Sequence, residues 1–118
     1  MNALEATNFD IFHGDSCDLD LRITLDGAPY YDPAMVVVFT VRESHDAVSP
    51  LLELTNSGGI ALLSSAQSRW AVQIPASAVS TWPLHQSLPY DVELRTPGGG
   101  KRTVAYGFFF VYPDVTKS

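Results

Sequence analysis

The sequence predicts an all-β fold, an antiparallel β-sandwich of seven to eight short strands with one short helical link. Three observations favour it. Apolar and polar side chains alternate in several short runs, which is the period of a half-buried strand. Glycine, proline, asparagine and aspartate cluster between those runs at fairly regular spacing, as in sandwiches and small barrels. Only residues 75–82 make a plausible helix.

The first half of the chain contains three predicted strands. Residues 8–12 form a short extended run before a turn at 13–15, and residues 17–25 alternate cleanly. Residues 35–42 are rich in β-branched side chains, which favour strands. The side chains expected on the inward faces of the latter two strands are Leu19, Leu21, Ile23, Leu25, Val37, Phe39 and Val41.

Two short strands, one alternating strand and the helix follow. Residues 51–55 are closed by an Asn-Ser-Gly-Gly turn, and residues 60–63 add a brief strand. Residues 69–74 return to a period of two, with Trp70, Val72 and Ile74 on one side. The helix at 75–82 begins with a proline, which suits a first helical turn, and stops before another.

The last quarter of the chain predicts a β-hairpin. Residues 90–95 alternate, a glycine-rich turn follows, and residues 102–112 contain the longest aromatic segment. The GGGK string in the turn lacks the glycine and the serine or threonine that a phosphate-binding loop requires, so a hairpin connection is the simpler interpretation. We expect Tyr106, Phe108 and Phe110 to fill the core.

The helical link before the hairpin favours one type of sandwich. Tyr90 begins a strand directly after this link, which resembles the tyrosine corner of immunoglobulin-like folds. We therefore predict an immunoglobulin-like sandwich. The length of 118 residues fits one domain, residues 1–118.

Composition argues against several classes of partner. The net charge of −6 disfavours nucleic-acid binding, which depends on clustered lysine and arginine. The apolar runs are far shorter than the roughly 20 residues of a membrane-spanning helix. The N-terminus lacks the basic and apolar regions of a signal peptide. Cys17 is the only cysteine, as expected of a soluble protein that folds in a reducing cytoplasm without an intrachain disulfide.

The residues contain no recognisable catalytic or metal-binding pattern. His13, His45 and His85 fall in three separate loops, without ligand spacing. No serine lies in a nucleophile elbow, and no base is identified for Cys17. We therefore expect no enzyme, no cofactor and no metal site.

Two sets of apolar side chains are candidate contact sites. Tyr30, Tyr31 and Trp82, together with His85, could form an aromatic platform of the kind that binds sugars. Alternatively, the tryptophan packs under its own helix and the tyrosines cover an edge. The second set lies opposite the expected inward faces of two strands and consists of Val36, Val38, Phe109 and Val111. It forms either a protein interface or a face covered by a loop or the N-terminal segment. If this set is a protein interface, Phe109→Glu should leave the fold intact and the circular dichroism spectrum unchanged.

Several short motifs follow one another along the chain. They are HGDS at 13–16, DGAP at 26–29, WAVQIP at 70–75, YDVEL at 90–94 and PDVT at 113–116. In this succession the chain resembles small immunoglobulin-like domains of tailed bacteriophages and prophages, typified by the N-terminal domain of baseplate upper proteins. It departs from that pattern in YYDP at 30–33, and we expect no fibre or receptor-binding region after Ser118.

The resemblance implies a non-enzymatic virion structural protein that is synthesised in the host cytoplasm. The expected role is a tail or baseplate adaptor, free-standing instead of part of a larger spike, that docks other virion proteins or a copy of itself. Two alternatives stay open: a capsid decoration protein, and a carbohydrate-binding module that would bind a glycan through the aromatic platform.

Overall fold

A computed structural model of the chain describes residues 2–4 and 8–114, with side chains for the latter range. This part of the chain folds into eleven strands and one helix. They are β1 (Asn2–Leu4), β2 (Phe9–Phe12), β3 (Cys17–Arg22), β4 (Thr24–Leu25), β5 (Ala28–Pro29), β6 (Val36–Val41), β7 (Leu52–Thr55), β8 (Ile60–Ser64), β9 (Arg69–Ile74), α1 (Ala76–Val79), β10 (Ser87–Arg95) and β11 (Lys101–Tyr112).

The strands form two packed sheets and a small ribbon. One sheet has the order β1-β3-β9-β8, the other the order β2-β11-β10-β6-β7, and β4 pairs with β5. Neighbouring strands are antiparallel except β1 with β3 and β2 with β11, which are parallel. The order of the sheets is that of an immunoglobulin-like sandwich, in which the first strand is divided between the two sheets. The predicted fold class is confirmed.

Differences from the predicted elements are confined to short segments. The structure adds β1 and the ribbon, in which Asp26 (φ 54°) and Gly27 (φ 81°) form the left-handed pair of a tight hairpin turn. The helix is one turn long because the backbone hydrogen bonds after it span three residues instead of four. The Trp82 N–H, for example, donates to the Val79 carbonyl at 3.0 Å.

The core lies between the two sheets and contains most of the side chains expected there. Leu25 is only half-buried, but the other members of the predicted inward faces of the first three alternating strands are buried. These confirmed core residues are Leu19, Leu21, Ile23, Val37, Phe39, Val41, Trp70, Val72 and Ile74. Tyr90, Val92 and Leu94 of β10 are buried as well.

The predicted orientation of β11 is wrong. Phe109 and Val111 are fully buried, whereas Tyr106 is 61% exposed and Phe108 is 38% exposed. Cross-strand partners point to the same face of a sheet, and Leu88 of β10, which points inward, is the partner of Phe109. Register, instead of the size of the aromatic rings, decides which residues enter the core.

A β-bulge and two small residues explain this register. Val92 pairs with Ala105 but Glu93 pairs with Thr103, so Val104 is an extra residue in β11. Beyond the bulge the inward positions begin with Ala105 and Gly107, which leave room for the larger β10 side chains opposite them. The aromatic residues at even positions therefore point away from the core.

Phe109 stands at the centre of an aromatic cluster. Its ring centroid lies 5.5 Å from Phe9, 5.1 Å from Tyr90, 5.6 Å from Trp82 and 6.2 Å from Phe39. Trp82 is buried in this cluster and is not an exposed loop contact, so its predicted role in a sugar platform is wrong. The alternative, in which the tryptophan packs under its helix, is consistent with its burial in the same core cluster as Val79 of α1.

Candidate protein-interaction face

The outer face of the five-stranded sheet carries a row of outward-pointing aromatic side chains. Phe12 of β2 contributes one, and β11 contributes four through its alternation. Phe12, Tyr106 and Phe108 are exposed, and Phe110 and Tyr112 are half-buried. We call this set, Phe12, Tyr106, Phe108, Phe110 and Tyr112, the aromatic ridge.

Rings of the aromatic ridge support one another. Phe12 and Tyr112 stack with ring centroids 5.2 Å apart, and Phe110 lies 4.8 Å from Tyr112 in a tilted arrangement. The ring of His45, from the loop after β6, meets Phe108 edge-on at 5.8 Å. Because these contacts restrict the rotamers of the rings, binding would cost less side-chain entropy than it would for isolated aromatic residues.

A groove of about 400 Å³ lies on the aromatic ridge between β2, β11 and β10. Its lining residues are Asn8, Phe9, Asp10, Ser87, Phe108, Phe110 and Tyr112. Asp10 is the cross-strand partner of Phe110, and it is the only charged residue in this lining. The Asn8 side-chain oxygen accepts a hydrogen bond from the Phe108 backbone N–H at 3.1 Å, which ties the start of β2 to β11.

A second hollow, whose lining includes more charged side chains than that of the groove, adjoins the other side of the ridge. Asp91 of β10 is the cross-strand partner of Tyr106, and both line this hollow with Arg42 and His45. Partial burial raises the pKa of the Asp91 carboxyl above its usual 3.8, and Glu93 adds to the increase, while Arg42 and His45 oppose it. The Arg42 guanidinium itself donates to the carbonyl oxygens of Ala47 at 3.0 Å and Val48 at 3.3 Å.

Asp91→Asn is expected to give a stability gain that depends on pH. The native pKa lies above the unfolded value near 3.8, so the native state holds this proton more tightly. The free energy of unfolding therefore falls as the pH rises from the unfolded to the native pKa of Asp91, and substitution by asparagine removes this decrease. We expect a gain below about 1 kcal/mol at pH 7 and none at pH 3. Urea unfolding of both proteins between pH 3 and pH 7 checks this, with Asp18→Asn as the charge-matched control. A gain that is equal at both ends of the range contradicts it.

The four residues of the predicted interface, three valines and one phenylalanine, do not form one exposed patch. Val36 is exposed, but Val38 is buried between its neighbours in register, Glu93 and Thr55. Phe109 and Val111 lie in the core, for the reason of register given above. The sequence therefore predicted correctly that β11 carries exposed apolar side chains. It assigned them to Phe109 and Val111, which lie on the opposite, buried face of that strand.

The predicted aromatic platform of Tyr30, Tyr31 and Trp82 is not assembled. The Tyr30 N–H donates to the Ile23 carbonyl just after β3 ends, and the ring of Tyr31 packs 6.2 Å from that of Trp70. The Trp82 carbonyl lies 2.7 Å from His13 Nε2, before β3 begins. The tyrosines and the tryptophan therefore lie at opposite ends of β3.

The described residues show little sign of reaction chemistry. Within residues 8–114 no three histidine, cysteine, aspartate or glutamate side chains are grouped to hold a metal ion. Burial raises the pKa of the Cys17 thiol, and the neighbouring Asp18 raises it further, which disfavours the reactive thiolate. In the part of the chain that the structure describes, no helix has the length and apolar character needed to cross a membrane.

Comparison with known proteins finds solved structures with a similar fold and no sequence match. No protein-family profile matches the chain, and no curated protein matches it. Among solved structures, the chain is similar to the N-terminal domain of phage TP901-1 ORF48, with a TM-score of 0.57 at 13% sequence identity. The match covers 93% of this chain and 94% of that one. The two chains thus share a fold over nearly their whole length.

Proposed function

We propose that this chain is a non-enzymatic structural protein of a tailed-phage virion, acting as a tail or baseplate adaptor that docks other virion proteins. The observation that carries the proposal is the end-to-end match to a phage domain, which leaves almost no part of either chain unaligned. Fold alone does not define function, so the proposal also needs a surface that suits the role.

The aromatic ridge is such a surface. Aromatic residues are enriched where proteins dock, and contiguous exposed apolar side chains on a small domain are typical of an interaction site. The ridge is held by strands of the sandwich and by ring contacts, not by a flexible loop. A rigid docking surface suits a particle component that must assemble in one geometry.

Mass spectrometry of particles purified by density gradient tests the proposal. We expect this chain in intact virions at a fixed ratio to the tail proteins, and in tails separated from heads. Its presence in heads alone would replace the adaptor role with capsid decoration. Abundance in the lysate together with absence from particles would refute a virion role.

A further inference from the structure

We propose that the groove on the aromatic ridge receives an arginine side chain of a partner protein, with the apolar neighbours of that arginine lying on the ridge. The inference rests on the proposed function only in taking the partner to be another virion protein. The groove itself is defined by its lining and by one carboxylate, that of Asp10.

The walls of the groove suit the long stem and flat head of arginine. Phe108, Phe110 and Tyr112 supply aromatic surface along one side. The methylene stem of arginine packs on such rings, and its guanidinium stacks over ring faces more favourably than a compact ammonium does. Asn8 and Ser87 at the margins provide polar groups beside these rings.

The charge of the groove is complementary to a cation. Asp10 is exposed, and in the described part of the chain no basic nitrogen lies within 4 Å of its carboxylate; the ion pairs there involve Asp20 and Glu93. A guanidinium reaching this carboxylate would form a charge-assisted hydrogen bond, which is about twice as strong as a neutral one. The site therefore selects an arginine over an acidic or purely apolar side chain.

A second copy of this chain is a poor occupant of the groove. In a twofold contact the same face meets itself, so Asp10 and Asp91 of each copy would approach the other, and each chain carries a net charge of −6. The described basic residues also lie outside the groove, although Arg42 lines the second hollow beside the ridge. Arg22 and Arg69 lie by Asp20, Arg95 pairs with Glu93, Arg42 binds loop carbonyls, and Lys101 and Arg102 are at the far hairpin end of β11.

Incorporation into virions tests the groove in its biological setting. A phage lacking its own copy of the gene is complemented with wild-type protein, Asp10→Asn, Phe108→Ser or the control Asp18→Asn, an exposed strand aspartate on the opposite sheet. We expect Asp10→Asn and Phe108→Ser to lower incorporation at least about tenfold, because each removes part of a central contact. Asp18→Asn should match wild type, and circular dichroism should show all four proteins folded.

A titration of the isolated protein tests the ligand chemistry. Backbone amide NMR shifts are followed as acetyl-Leu-Arg-Leu-amide or acetyl-Leu-Glu-Leu-amide is added. We expect the arginine peptide alone to shift amides around Asp10 and Phe110, with affinity reduced at least about threefold in Asp10→Asn. Equal shifts with both peptides, or shifts confined to other surfaces, would overturn the inference.

The remaining outcomes separate the occupants. Concentration-dependent dimers in analytical ultracentrifugation that disappear in Phe108→Ser would assign the ridge to self-association and overturn the arginine site. Binding of neutral oligosaccharides that Phe108→Ser abolishes would overturn it in favour of a glycan. Normal incorporation of Asp10→Asn and Phe108→Ser into particles that contain wild-type protein sinks the groove inference but leaves the virion role intact. Absence of wild-type protein from particles sinks the virion role instead.

Discussion

Phe109→Ala is expected to lower the free energy of unfolding by about 3–5 kcal/mol, which is the usual cost of removing a buried phenylalanine ring. Phe109 is fully buried, and its ring contacts four other aromatic rings drawn from β2, β6, β10 and the turn after α1. Those strands cannot close over the cavity without losing their register. Phe109→Glu would place a charge in the same site and should prevent folding.

Phe108→Ala is the matched control because it removes the same ring from the next position. Phe108 is 38% exposed on the opposite face of β11, so its loss should cost less than about 1.5 kcal/mol. Urea denaturation followed by circular dichroism measures both. If Phe108→Ala were the more destabilising substitution, the inward and outward faces of β11 would be exchanged, as the sequence pattern alone predicted.

Trp82→Ala is expected to cost a similar 3–5 kcal/mol. Trp82 is buried beneath the turn that follows α1 and packs against Phe109, so its loss leaves the end of the core open. The cavity would also weaken the packing that positions the Trp82 carbonyl at 2.7 Å from His13. Urea unfolding at pH 7 gives the value.

Trp82→Phe separates the volume of the ring from its polar group. Among the described residues, the Trp82 Nε1–H is buried without a hydrogen-bond partner, which costs about 1–3 kcal/mol. Phenylalanine leaves a cavity but removes that unpaired donor, so the two effects oppose each other. We expect a net loss of less than about 1.5 kcal/mol. A loss equal to that of Trp82→Ala would mean that the indole N–H contributes a hydrogen bond.

The fold was predictable because its signal is local. Apolar and polar side chains alternate in a strand with one buried face, so the inward residues of β3, β9 and β10 can be identified from the sequence. The helical link and the turns between strands also depend on neighbouring residues, and they appear where proline and glycine place them. The two parallel pairings were not predictable in this way, because no turn connects the strands that form them.

The candidate interaction face was only half predictable. The aromatic run in β11 indicates an unusual strand, but consecutive aromatic residues do not show which alternate positions face the core. The inward-facing positions of β11 are set by the bulge at Val104 and by the pairing of Gly107 with Tyr90. A different signal was present: Ala105, Gly107, Phe109 and Val111 form an alternating set whose small members lie opposite the large inward side chains of β10.

The groove required information that no local pattern contains. Asp10 reads as an ordinary polar residue of a short strand, and it reaches Phe110 only because β2 runs parallel to β11. Asn8 likewise meets Phe108 across a separation of 100 residues. Residues that are unremarkable in the sequence thus become a defined site through the topology of the sheet.

This pairing has a consequence for the growing chain on the ribosome. Synthesis delivers β2 long before β11, so the apolar residues Phe9 and Ile11 have no β11 partner strand until about a hundred further residues have emerged. Contacts that close so long a loop form slowly and late in folding. The groove is made of β2 together with the much later β10 and β11, and a product that terminates before β11 would lack one wall of it. A protein that recognises the groove would therefore bind molecules in which β11 has been made and ignore shorter nascent or truncated ones.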